Sequence, residues 1–126
     1  VDSSVLLGLL NPADACHAAA TAALQSRIEH EIVVPASVFS EILVLAERRG
    51  EAIVQRTINA VDDVAAQILP LDREIAHLAA RIRAKHPAVR LPDALVIASG
   101  QALVAEVLTA GKQWRGVDDR ITVLTP

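Results

Sequence analysis

The stretch Ile32-Val33-Val34-Pro35-Ala36-Ser37-Val38-Phe39-Ser40-Glu41-Ile42-Leu43 decides the fold. Ile32 to Val34 are three consecutive branched apolar residues. With Glu31 they read as a short strand, Glu31 to Val34, buried on both faces rather than one. Pro35 has no N–H to give a ladder and its φ suits a first helical turn, so it opens a helix. That helix runs through Arg49, and Gly50 stands where a C′ glycine ends it. A strand handing over directly to a helix is half of a βα unit, and such units build parallel sheets covered by helices.

The same alternation extends in both directions. Upstream, Val1 to Ser3 reads as the end of a buried strand, and Ser4 to Leu10 as a helix stopped by Asn11-Pro12. Asp14 caps a helix to about Arg27. Downstream, a helix runs from Glu51 to Gln67 and Ile68 to Leu71 form a strand. Asp72 caps a helix with Ile75, Ala76, Leu78, Ala79 and Ile82 at helical spacing. His86-Pro87 breaks it, Pro92 opens the next helix through Leu103, and Ala105 to Thr109 and Ile121 to Leu124 are the last strands. The order is βαβααβααββ. The expected fold is a three-layer α/β/α sandwich with a small, mainly parallel sheet, in one domain spanning 1–126. Val1 is not a start methionine, so a few preceding residues are expected to be missing and the first strand shortened.

Composition narrows the function. At 126 residues with 52% apolar content, the chain can bury a core without disulfides. Phe39 and Trp114 are the only aromatics, too few for a base-stacking platform on single-stranded nucleic acid. A net charge of −3 excludes a protein wrapped around a polyanion by bulk charge. Cys16 is the only cysteine and lies among alanines, so it reads as a buried thiol, with no disulfide and no cysteine-cluster zinc site. No apolar run approaches the ~20 residues of a membrane span, and no signal-peptide pattern opens the chain. A cytoplasmic location is the resulting expectation. His17, His30, His77 and His86 show no metal-ligand spacing and are assigned no catalytic role.

In open parallel sheets the ligand crevice lies outside the carboxyl ends of the strands. Three acids fall there. Asp2 stands where the first strand meets the first helix, and reads equally as a helix cap. Glu41 lies in the first half of its helix among Val38, Ile42, Leu43, Val44 and Leu45. An ionised carboxylate there is costly without a positive partner unless its head reaches water at the rim. Asp93 follows Pro92 in a first helical turn, where the macrodipole alone would favour it. Three carboxylates converging on one crevice repel each other unless a cation lies between them. Oxygen-only ligands select Mg²⁺ or Mn²⁺. Such ions activate a water and neutralise a leaving oxygen, which suits phosphodiester hydrolysis.

At this point the chain resembles the PIN-domain nucleases, in particular the VapC-type toxins of bacterial toxin–antitoxin pairs. The resemblance is carried by Val-Asp2-Ser-Ser-Val-Leu-Leu, Val-Pro-Ala-Ser-Val-Phe-Ser-Glu41-Ile-Leu, Ile-Leu-Pro-Leu-Asp72-Arg-Glu-Ile-Ala and Leu-Pro-Asp93-Ala-Leu-Val-Ile-Ala, and by the final pair of strands. It spans nearly the whole chain. It implies an Mg²⁺- or Mn²⁺-dependent endoribonuclease with Asp2, Glu41 and Asp93 as catalytic and metal-site acids, a homodimer, and a cognate antitoxin partner. Cleavage would leave a 5′-phosphate and a 3′-hydroxyl.

One position departs from that pattern. A fourth acid is expected two residues after Thr109, and Gly111 stands there. Asp118 or Asp119 could substitute, or both could form a solvated turn with Gly116. Ser4 and Thr109 carry hydroxyls that could support a carboxylate or a metal-bound water, or serve as local turn donors. Arg81, Arg83, Lys85 and Arg90, with Lys112, Arg115 and Arg120, are cations available to RNA phosphates or to solvent. Val38, Phe39, Ile42, Leu43, Leu45, Ile53, Val54 and Ile58 exceed what one helix face buries, so a partner surface is expected. The rival function is a PIN-like RNA- or protein-binding module that cleaves poorly because of Gly111. A phosphoacceptor receiver domain fits less well, since only Asp2 is found where it needs an acidic pair. A phosphatase of the Asp-x-Asp type fails at Ser4.

Overall fold

The computed structural model describes all residues, 1–126. The elements run α1 (Ser3–Leu10), α2 (His17–Gln25), β1 (Val33–Pro35), α3 (Ala36–Glu47), α4 (Glu51–Val64), β2 (Gln67–Leu69), α5 (Arg73–Lys85), α6 (Leu91–Leu103), β3 (Val107–Thr109), a single 3₁₀ turn (Lys112–Trp114) and β4 (Ile121–Val123). β1 pairs with β2 and β3 with β4, both in parallel, with Val34 opposite Ile68 and Leu108 opposite Thr122.

The expected first strand is not formed. Asp2 is already the N-cap of α1, with its side chain accepting from Ser3 N, so only Val1 and Asp2 remain extended. They still join the two strand pairs: Val1 N donates to Val33 O at 3.0 Å and Asp2 N to Leu108 O at 2.9 Å. Two bonds seat the segment between β1 and β3 without making a ladder. The resulting order is β2, β1, Val1–Asp2, β3, β4, with each of the two strand pairs parallel.

Alternation along β3 shows the layering. Neighbouring side chains on a strand point to opposite faces. Val107 belongs to the core cluster that contains Leu6, Val34, Val38, Ile42, Ile75, Ile97 and Trp114, while Leu108 belongs to the one with Val5, Cys16, Ala20 and Ala23. Adjacent Val5 and Leu6 divide α1 between the same two groups. Apolar side chains thus cover both faces of the sheet, and the α/β sandwich expected from the sequence is the fold.

Some boundaries move. Helix α2 begins at His17 because the Asp14 carboxylate is spent on Cys16 N, which holds a turn before the helix. Helix α4 stops at Val64, and β2 starts one residue earlier than expected. Asp72 caps α5 through Ile75 N at 2.8 Å, and Pro92 lies in the first turn of α6. Gly50 has φ +114, a backbone state that side chains disfavour, and it turns the chain from α3 directly into α4. Opposite the carboxyl ends of the strands, the Arg27 guanidinium grips both Glu106 oxygens at 2.6 and 2.7 Å, tying the end of α2 to the start of β3.

Candidate functional site

Asp2 is the centre of the site because the fold buries it there. Its relative exposure is 7%. Oδ1 accepts from Ser3 N at 2.7 Å, with Ser3 Oγ at 3.4 Å. Oδ2 accepts from Ser4 Oγ and Thr109 Oγ1, both at 2.8 Å. A buried carboxylate is tolerable when its lone pairs are satisfied in this way. The hydroxyls are in turn oriented from behind: Ser4 Oγ accepts from Ala110 N at 3.1 Å and Thr109 Oγ1 from Gly111 N at 2.9 Å. Ser4 and Thr109 therefore support the carboxylate, one of the roles open to them from the sequence.

Glu41 reaches the same place from the second turn of α3. Ser3 Oγ lies 3.2 Å from Glu41 Oε2, so one hydroxyl stands between the Asp2 and Glu41 carboxylates. Burial pushes the Glu41 carboxyl above its ordinary 4.5; Asp2 and Asp93 repel it in the same direction, against the Ser3 hydrogen bond and the Arg90 cation. The residue as a whole is exposed and only its carboxylate end leans inward, so solvent screens part of this effect.

Asp93 enters from the first turn of α6. Burial raises its carboxyl above the ordinary 3.8, Asp2 adds repulsion, and Arg90, Trp114 and Gln113 pull the other way. The Trp114 indole N–H is near enough to act on this carboxylate, yet it is buried without a hydrogen-bond partner. The structure thus brings Asp2, Glu41 and Asp93 close enough for their charges to act on one another. No salt bridge neutralises any of them: the two in the protein are Arg27–Glu106 and Arg120–Asp118. The donors are carboxylate and hydroxyl oxygens, a set for a hard divalent cation. In this structure no group of three or more His, Cys, Asp or Glu side chains, these three acids included, is placed closely enough to hold a metal ion.

The other candidates lie elsewhere. Asp118 accepts from Gln101 Nε2 and Arg120 N, both at 2.8 Å, and pins the turn before β4 to α6. Asp119 is exposed in the same turn. The acids repelling Glu41 and Asp93 do not include either of them. Arg90, the N-cap residue of α6, is the one cation from the expected basic group that acts on both Glu41 and Asp93. Val44 and Leu45 on α3 are nearly half exposed, and Leu45 joins Leu7, Leu10, Ile42 and Ile53 in a groove of about 460 Å³.

Sequence reading missed two participants. The sequence pattern puts Ser3 in a strand, and its bridging hydroxyl follows only from its being the first residue of α1. Trp114 was noted as one of two aromatics. Its position three residues after Gly111 was a usable signal, because a missing side chain beside a large ring implies close packing.

Comparison with known proteins agrees with this fold. The family model described as PIN domain matches residues 1–120. Among solved structures, the chain is similar to a toxin–antitoxin complex from Klebsiella pneumoniae, with 21% sequence identity and a TM-score of 0.76, covering 97% of this chain and 93% of that one. No curated protein matches it significantly.

Proposed function

The chain belongs to the PIN-domain family, whose members are generally nucleases, and from that premise we propose that it is an Mg²⁺- or Mn²⁺-dependent endoribonuclease, the toxin of a toxin–antitoxin pair. The observation that carries this reading is the unneutralised meeting of Asp2, Glu41 and Asp93. Mutual repulsion of this kind is relieved by a cation between the carboxylates. Asp2, already fixed by Ser3, Ser4 and Thr109, would hold the cation together with Glu41 and Asp93. A bound divalent ion supplies a water nucleophile at neutral pH and neutralises charge on the leaving oxygen. Ser3, Ser4 and Thr109 keep the Asp2 oxygens oriented. Arg90 stands where it can meet a substrate phosphate, so RNA need not approach an uncompensated acidic surface.

The antitoxin partner rests on the similarity to the Klebsiella complex and on the groove beside α3, where Leu7, Leu10, Ile42, Leu45 and Ile53 alternate with Asn11, Asp14, Arg49 and Thr57. A homodimer and a cytoplasmic setting belong to the same proposal; the protein has no helix long and apolar enough to cross a membrane. The test is incubation of the purified protein with mixed-sequence single-stranded RNA in Mn²⁺. Internal cleavage leaving 5′-phosphates is expected, abolished by EDTA and by Asp93→Asn. Cleavage that persists in EDTA or in Asp93→Asn would overturn the reading. A second reading, a binding module, draws on the open cluster and on Gly111. Its signature is RNA that is bound in Mn²⁺ but never cut.

A further inference from the structure

Trp114 Nε1 is the one buried side-chain polar atom without a hydrogen-bond partner, on a residue only 1% exposed. A buried donor left unpaired costs about 1–3 kcal/mol. Filling the core accounts for the bulk of the ring but not for a polar atom at its edge.

The position of the ring is set by its neighbours. Trp114 N donates to Gly111 O at 3.1 Å, closing the 3₁₀ turn back over the glycine. A Cβ at residue 111 would stand 3.0 Å from Trp114 Nε1 and 3.1 Å from its Cδ1. The absence of a side chain at Gly111 is what lets the indole edge lie there. Gly111 N is itself part of the relay to Thr109 and Asp2. The donor edge is therefore held beside the acid cluster by the same backbone that holds Asp2. Together with the Gln113 amide it pulls the Asp93 carboxyl downward, against burial and the repulsion of Asp2.

We propose that Trp114 is a positioning residue of the acid cluster: its indole N–H, seated over Gly111, takes one oxygen of the ionised Asp93 carboxylate and leaves the other facing Asp2 and Glu41. Where a cation is bound, the indole then orients a ligand carboxylate from behind, a role whose loss typically weakens metal affinity about tenfold or more. Only this last consequence rests on the metal-site reading above.

Trp114 is the only tryptophan, so the protein has a single indole ¹H–¹⁵N resonance. Without added metal, that resonance is expected downfield in the wild type and shifted upfield in Asp93→Ala. Mn²⁺ affinity, read by calorimetry, is expected to fall about tenfold in Trp114→Phe. Benzothienylalanine in place of Trp114 keeps the bicyclic ring but replaces N–H with sulfur, and the same fall is expected if the phenylalanine variant does not fold. An indole resonance identical in wild type and Asp93→Ala would overturn the proposal, as would unchanged Mn²⁺ affinity in the sulfur analogue. Failure of the wild type to bind Mn²⁺ would strike the metal-site reading, and the indole shift would then decide this proposal by itself.

Discussion

Thr109 and Asp2, 107 residues apart in sequence, are joined by a 2.8 Å hydrogen bond from Thr109 Oγ1 to Asp2 Oδ2 in a fully buried setting. It locks the end of β3 to the start of α1, where the candidate site is built. Thr109→Val keeps the volume and removes the donor. It also strips Gly111 N of its acceptor. A loss of about 1–3 kcal/mol is expected, the cost of leaving buried polar groups short of partners. Urea unfolding reads it, and Thr109→Ser should recover most of the loss. An unchanged midpoint would mean that the hydroxyl does not secure the carboxylate.

The raised carboxyls of Glu41 and Asp93 give the protein a pH signature. For each, the folded state holds its proton to higher pH than the unfolded state does. Stability then falls as pH rises, from the ordinary carboxylate range up through the shifted value. Glu41→Gln removes one such penalty. The variant is expected to melt higher than wild type at pH 7–8 without metal, with the gain shrinking as pH drops toward the ordinary glutamate value of 4.5. Added Mg²⁺ should stabilise wild type more than the variant. Equal melting temperatures at every pH would show that the Glu41 charge is not strained by its surroundings.

Gly100 lets α6 lie against β3. A Cβ there would clash with Val107 Cγ2 and stand 3.4 Å from Ala105 O, and Val107 is itself 4% exposed with little room to move. Gly100→Ala is therefore expected to destabilise by about 1–3 kcal/mol through overpacking, despite alanine's better helix propensity. Chemical denaturation decides it: a gain in stability would mean that β3 shifts freely.

Val104 ends α6 in the left-handed region, at φ 52 and ψ 47, and is 73% exposed. A β-branched residue there carries strain of about 1–2 kcal/mol with no packing to offset it. Val104→Asn, which tolerates that backbone and still closes the helix, is expected to raise stability by about 1 kcal/mol and leave RNA cleavage unchanged. A lowered melting temperature would count against the strain.

Much of the fold was legible because local chemistry and tertiary structure agree. Pro35, Gly50, Asp72 and Pro92 each mark a helix boundary through their own backbone or capping preference, and the structure uses all four. Val107 and Leu108 showed a buried strand but not which face each would cover. The expected Val1–Ser3 strand does not form because extended preference at Val1 competes with the capping preference of Asp2, and the cap prevails. In the site, the acids stood out by falling after strands or at helix starts. Asp118 did not differ from them in type; Gln101, brought alongside by α6, turns it away.

The sequence by itself determined the alternation of strands and helices, and so a parallel sheet whose strand ends gather the acidic side chains, because apolar runs, caps and breakers act over only a few residues. Tertiary structure alone decided that Ser3 would stand between Asp2 and Glu41, that Thr109 would hold Asp2, and that Trp114 would lie over Gly111 beside Asp93. These contacts depend on angles and ångström-scale distances between residues up to 107 positions apart, and packing of the whole sandwich, rather than any local preference, sets them.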